Sequence, residues 1–302
     1  MIRGLVEISV RIKNGMKRKL AASPNVIKTL GFFHRPENGE AATWVKKISR
    51  WILKHYPEVK IAEKKPDCLL VLGGDGSFLE AARRYQKQNP IILGLNLGRV
   101  GFLASIREPK KFLKGLNQFL MGGFNVSERI MLEATVLRKG KIVWRSYSLN
   151  DVVAHNLLGV SEIEVSIEHH PIQYIRGTGV MVATATGSTA YNLSAHGPIV
   201  MPSIKCLIVN ELLDHNIPTP SIVVDSAEKI RIKIIDFRKH GLLALAKNKK
   251  PVDVILSSDG ENIFPLAEGD IVTVKSSPRL VRFAELEKNY FLKSLQEKFA
   301  FK

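Results

Sequence analysis

The chain has 302 residues, 45% hydrophobic and 24% charged, which fits a soluble globular protein of one large or two ordinary domains with sizeable cores. No apolar run reaches the ~20 residues of a membrane span, and the first residues lack the continuous apolar core of a secretory signal, so no membrane partner is expected. The 45 Lys and Arg outnumber the 28 Asp and Glu, which favours anionic ligands; the excess is dispersed in short groups, and no helix-turn-helix, zinc-finger or RNP signature turns it toward nucleic acid.

In chain order, residues 1–24 form a basic extension. In it Val6, Ile8, Val10 and Ile12 alternate like a strand and Lys17, Arg18 and Lys19 follow. Residues 25–33 read as a strand. Next, Ala41, Trp44, Val45, Ile48, Trp51 and Ile52 recur at helical spacing, with His55 at the edge of that stripe, so one face of the helix is apolar and both tryptophans belong to a core. Residues 68–72 and 91–95 give two more strands. Phe112, Leu113, Leu116, Phe119 and Leu120 mark a helix that ends at Gly122 and Gly123. Strands alternating with helices predict a Rossmann-like parallel α/β domain over 25–126. After residue 126 the pattern changes to a hairpin about Lys139-Gly140, then short strands at 162–168, 179–183, 230–235, 252–256 and 271–275 separated by turn signals such as Asp259-Gly260. That pattern predicts an all-β sandwich over 127–284. Residues 285–302 carry a helix with Tyr290, Phe291, Leu295 and Phe299 as its apolar stripe, expected to return to the first domain. Cys68 and Cys206, both in apolar surroundings, read as reduced core thiols, hence a cytoplasmic setting.

The richest stretch is Leu69 to Leu72 followed by Gly73, Gly74, Asp75, Gly76 and Ser77. A buried strand runs into three glycines around one carboxylate, and a helical pattern follows. Glycine lets a phosphate approach the backbone closely, and the N–H groups of such a turn attract anions. Asp75 is placed to meet a hydroxyl or a metal beside that phosphate. The spacing is neither a Walker loop nor a dinucleotide fingerprint. It resembles the phosphate loop shared by NAD kinases, diacylglycerol-type lipid kinases and phosphofructokinases, all of which transfer phosphoryl groups to hydroxyls.

A second constellation joins the strand at 179–183 to Thr184, Thr186, Ser188 and Thr189, then Ala190, Tyr191, Asn192, Leu193 and Ser194. One N-cap needs one hydroxyl; four close together suggest contacts to sugar hydroxyls, amides or phosphate oxygens. Tyr191 reads either as a buried aromatic or as a base-contacting residue.

With these elements in order, the chain resembles the NAD kinase family along nearly its full length. The GGDG loop is matched by Gly73 to Gly76, and the Leu-Gly-x-x-Gly-Phe-Leu segment by Leu97, Gly98, Gly101, Phe102 and Leu103. The Asn-acid-Val-Val segment is matched by Asn150, Asp151, Val152 and Val153, and the TPTGSTAY segment by Thr184 to Tyr191. The resemblance implies phosphorylation of the adenosine-ribose 2′-hydroxyl of NAD to give NADP, with Asp75 as base, ATP or polyphosphate as donor and a divalent metal, magnesium. It implies adenine contact by Asn150, ribose contact by Asp151, and a pocket lined by Gly76, Thr189, Ala190 and Tyr191 with Asn192 and Leu193. Ser194 falls toward the nicotinamide, and Arg176 and Thr178 complete the NAD-binding set. A homodimer or homotetramer is the expected assembly, with a neighbouring copy completing the nicotinamide end.

The chain departs from the family pattern at Thr178 (commonly Asp), Ala185 (commonly Pro), His196 (commonly Gly) and Asp151 (commonly Glu). The alternatives are a lipid or sugar kinase with the same glycine loop, which would lack the second constellation, and a non-catalytic nucleotide-binding relative.

Overall fold

The computed structural model describes residues 27–98, 101–215, 219–244 and 251–299; the alternating stretch at 6–12 lies outside them. The first half holds β1 (Thr29–Phe33), α1 (Gly39–His55), β2 (Lys60–Ile61), β3 (Cys68–Gly73), α2 (Asp75–Tyr85), β4 (Ile91–Asn96) and α3 (Phe112–Leu120). These strands pair in parallel, in the order β4-β3-β1-β2. Every residue of β3 and β4 is buried, as a sheet covered on both faces requires. Asn38 caps α1 by accepting the Ala41 N–H at 3.0 Å, and Trp44 packs edge-on to Phe112 with centroids 4.9 Å apart. Trp44 and Trp51 join the core as the helical stripe requires.

The second half holds β5 (Asn125–Arg138), β6 (Lys141–Ser148), β7 (Asp151–Asn156), β8 (Ser161–Ile167), β9 (His170–Thr184), the one-turn α4 (Tyr191–Ser194), β10 (Cys206–Asp214) and β11 (Ile222–Asp225). It continues through β12 (Ile230–Phe237), β13 (Val254–Ser258), β14 (Asn262–Pro265) and β15 (Ile271–Glu285) to α5 (Tyr290–Phe299). Its strands pair antiparallel, and side chains from β5, β7, β8, β9, β10, β12, β13 and β15 close on one aliphatic core. The two halves share one hydrogen-bonded sheet, because β15 pairs antiparallel with β5 and β12 and in parallel with β4 at Arg282↔Ile91. Helix α5 lies on the first half: Phe291 and Phe299 stack on Phe102 with centroids 5.7 and 6.3 Å away.

The sequence pattern understates several elements. Strands β9 and β15 run far beyond 179–183 and 271–275, because Pro171, Gly177, Gly179 and Pro278 interrupt their alternation without ending their ladders; β15 passes Pro278 through a register shift between Ser276 and Leu280. The helix-compatible run after Thr184 is only a 3-10 turn (Gly187–Thr189) and the single turn of α4. Both cysteines are buried and free, as expected, and no described helix is long and apolar enough to cross a membrane.

Phe78 is fully buried where α2 meets β3, Met131 and Leu149. Phe78→Ala is expected to lower stability by about 3–5 kcal/mol, seen as a lower urea midpoint at unchanged slope.

Candidate active site

The glycine loop leaves the carboxyl end of β3, where ligands of parallel sheets bind. Gly73 pairs with Asn96 at the end of β4, and its carbonyl accepts the Leu97 N–H at 3.1 Å. Gly74 is the N-cap of α2, so Asp75 stands in its first turn. The Asp75 carboxylate accepts the Phe102 N–H at 3.3 Å. It lies so close to Gly101 that a Cβ there would stand 2.0 Å from Oδ1. Burial pushes the Asp75 carboxyl above its ordinary value, against the opposing pull of the Phe102 and Leu103 N–H groups and the Lys298 charge. The Lys298 ammonium sits 4.8 Å over the Phe102 ring. Ser77, behind the loop, is buried.

The second wall begins at Leu149, which packs in the same cluster as Phe78 and Ala81 of α2. Asn150 and Asp151 follow Leu149 directly in the chain. Their backbone is held by Asp259, whose carboxylate accepts N–H groups from Leu149 (2.9 Å), Asn150 (2.8 Å) and Asp151 (3.3 Å). The Asp259 N–H donates in return to the Asp151 carbonyl at 3.0 Å. Asp151 is itself buried. Among the described residues no hydrogen-bond donor meets its carboxyl. Burial and the neighbouring Asp259 charge push it up to about 7. Asp259 is raised by burial too, but it alone has three amide donors, so the proton of the pair rests on Asp151.

The third wall is the hydroxyl-rich loop. Thr184 donates through Oγ1 to the Leu149 carbonyl at 2.6 Å and accepts the Gly187 N–H at 3.1 Å. A Cβ on Gly187 would fall 2.1 Å from the Asn150 carbonyl oxygen, so this loop lies directly on the Asn150 backbone. Ser188 donates to the Ala185 carbonyl at 2.7 Å and accepts the Val200 N–H at 3.0 Å. Thr189 and Ala190 are half-buried, with Leu193 beside them and Ser194 exposed. Tyr191 is 46% exposed, so it is not a core aromatic.

Asn192 differs from the rest of the set. Its side chain is fully buried, donating to Ser188 O at 3.3 Å and Pro198 O at 3.1 Å. It braces the loop from inside instead of facing the cleft. His196, where the family commonly has Gly, has φ 60, a backbone region that favours glycine.

Arg176 and Thr178 are not brought to this cleft. Ala183 pairs with Asp151, which puts Thr178 and Arg176 roughly 17 and 23 Å away along β9 at about 3.3 Å per residue. Arg176 is exposed and faces Glu162 at 3.8 Å.

Two residues with motif signals in the sequence carry structural roles that those signals do not specify. Gly101 lies in the Leu-Gly-x-x-Gly-Phe-Leu segment and Asp259 in the hairpin turn, but neither spacing reveals what the residue packs against. The arginine pair Arg35 and Arg83, joined to Glu261, had no local signal.

Residues 58–124 match the model of the ATP-NAD kinase N-terminal domain, and residues 149–286 that of the ATP-NAD kinase C-terminal domain. A protein named NAD kinase from Symbiobacterium thermophilum is 37% identical over 77% of this chain and 78% of its own length. Another from Desulforamulus reducens is 30% identical over 90% and 97%. The chain belongs to the NAD kinase family. Among solved structures, yeast NADH kinase complexed with NADH superposes with a TM-score of 0.78 at 21% identity, covering 92% of this chain and 89% of that one. An NAD kinase from Archaeoglobus fulgidus in complex with ATP gives 0.66 at 20% identity, covering 90% and 96%. Both share the fold. The family assignment excludes the lipid and sugar kinase alternatives.

The Asp151 carboxyl has a pH consequence. Its folded value near 7 lies above the 3.8 of a free side chain. Between those two pH values the folded chain therefore binds more protons than the unfolded one, and stability falls as pH rises through that window. Asp151→Asn is expected to match the wild type near pH 4 and to exceed it by about 4 kcal/mol at pH 8, read by urea unfolding at both pH values.

Proposed function

We propose that this chain is an NAD kinase that transfers the terminal phosphoryl group of ATP to the adenosine-ribose 2′-hydroxyl of NAD, giving NADP and ADP. The observation that carries the reading is the junction of the halves, where α2, beginning at Asp75, packs on Leu149, which leads into Asn150 and Asp151. One acid, Asp75, thus opens the helix that packs in this cluster, and a second, Asp151, suited to sugar hydroxyls, stands two residues beyond Leu149.

In this mechanism Asp75 accepts the 2′-hydroxyl proton as the ribose oxygen forms its bond to phosphorus and the bond from phosphorus to the ADP oxygen breaks. Burial of Asp75 makes it a stronger base than an exposed carboxylate. Asp151, lacking a donor among the described residues, accepts hydrogen bonds from ribose hydroxyls once ionised, and Asn150 meets the adenine. Gly73, Gly74 and Gly76 hold donor phosphates, with Ser77 supporting the loop from behind; Thr189, Ala190, Tyr191 and Leu193 line the dinucleotide side, and Ser194 lies toward the nicotinamide. Asn192 keeps that loop in shape.

Magnesium would be carried by the donor phosphates with one protein carboxylate, Asp75, beside it; bound there it would spread the phosphate charge. Arg176 and Thr178, too far along β9 to reach the same end of a dinucleotide, serve a neighbouring copy in a homo-oligomer. A cytoplasmic setting agrees with the two free thiols.

Purified protein assayed with NAD and NADH against ATP and polyphosphate is expected to form NADP from NAD and ATP. Asp75→Asn is expected to lower kcat at least about 100-fold while NAD affinity, measured by calorimetry, stays close to wild type; unchanged turnover would remove Asp75 from the mechanism. Because the base must be ionised and its carboxyl is raised, the acid limb of kcat should lie above the ordinary Asp value of about 3.9. Gly101→Ala pushes a methyl group into the Asp75 carboxylate. It is expected to cut kcat by about tenfold or more with little change in the melting temperature.

A further inference from the structure

Beside the glycine loop stands a charge cluster that the mechanism above does not use. Arg35, just after β1, forms ion pairs with Glu80 of α2 at 3.2 Å and with Oε1 of Glu261. Arg83 of α2 holds the other oxygen, Oε2, of Glu261 at 2.7 Å. Glu261 comes from the opposite half of the molecule, in the β13–β14 turn two residues after Asp259. One carboxylate from the second half thus sits between two guanidinium groups of the first.

Three observations set this cluster apart from a simple tie between halves. Arg35 lies on the glycine loop itself, since a Cβ on Gly76 would stand 3.4 Å from its Nη2. The two arginines converge on one group, each taking a different oxygen, the arrangement in which guanidinium forks bind carboxylate and phosphate alike. The carboxylate does not fill the site: Arg83 Nη1 is buried and has no hydrogen-bond partner among the described residues, while both Glu261 oxygens are already engaged. A buried unpaired N–H group is costly. A phosphate group has the further oxygen that a carboxylate lacks.

We propose that Arg35 and Arg83 receive the phosphates of the phosphoryl donor, and that Glu261 occupies their anion site in the free protein and is displaced when the donor binds. This rests on the kinase reading for the identity of the donor, not for the existence of the site. Its ligand class is a polyphosphate chain, free or carried by a nucleotide. The Glu261 carboxylate then acts as an internal competitor that lowers donor affinity.

The test is calorimetric binding of ATP and of inorganic tripolyphosphate to the full chain without NAD, together with the KM for donor and for NAD. Arg35→Met should weaken both ligands about tenfold, a difference worth roughly 1.4 kcal/mol, and raise the donor KM alike, with the KM for NAD unchanged; Arg35→Lys should recover part of the loss. Glu261→Gln, nearly isosteric, should tighten both ligands several-fold. Weaker or unchanged donor binding in Glu261→Gln overturns the proposal, as does wild-type donor binding in Arg35→Met. If Arg35→Met does not fold, the direction of the Glu261→Gln effect decides alone. Tightening for ATP but not tripolyphosphate assigns recognition to the nucleoside and also overturns it. Wild-type protein that binds both ligands in this pattern but makes no NADP would sink the kinase reading and leave the anion site standing. NADP formation with wild-type donor constants in every variant would do the reverse.

Discussion

Everything in this molecule depends on one strand being hydrogen-bonded on both sides of a change in sheet type. β15 carries the antiparallel ladder with β5 for most of its length, pairs with β12 at its start and joins β4 in parallel near its end. The register shift between Ser276 and Leu280 lets its two ends pair with the antiparallel and the parallel part of the one sheet, since an irregularity of this kind bends a strand and increases its local twist. The halves are therefore not beads on a linker. A displacement of β15 would move β4, and with it the end of the glycine loop, relative to β5 and the walls beyond it.

Upon that frame the electrostatics are arranged by backbone more than by countercharge. Asp259 is supported by three consecutive amide groups, and Asp75 by amides at the start of the segment that returns toward β15. Asp151 has no such support and takes the proton of the pair. Two neighbouring acids with unequal surroundings thus divide into a scaffold and a free acceptor. Removing the amide donors would erase that division even with both carboxylates still present.

The parallel half was legible because each element carries its own period: helical spacing in α1 and α3, continuous apolar runs in β3 and β4, glycine punctuation at the loop. The antiparallel half was legible in kind, less so in extent. β10 opens with the run Cys206 to Val209, which has no alternation because both faces are covered, and β7 hides among motif residues. The candidate site was half visible. Asp75, Asn150 and Asp151 sit in distinctive local strings, whereas the partners that set their chemistry are remote. Asp259 meets Asn150 across 109 positions and Glu261 meets Arg35 across 226; one sequence holds no spacing rule for such pairs. The direction of a side chain was equally hidden: nothing in the string around Asn192 tells that its amide turns inward while Tyr191 next to it turns outward.

The close seat of Gly187 on the Asn150 carbonyl bears on how this protein could diverge. A position defined by a missing methyl group offers selection no graded series of replacements; every larger residue displaces the neighbouring chain at once. Variation must then accumulate where side chains have room, as at exposed Tyr191 and Ser194, while the floor beneath them stays fixed. Such a cleft can drift at its rim for long periods without losing its shape.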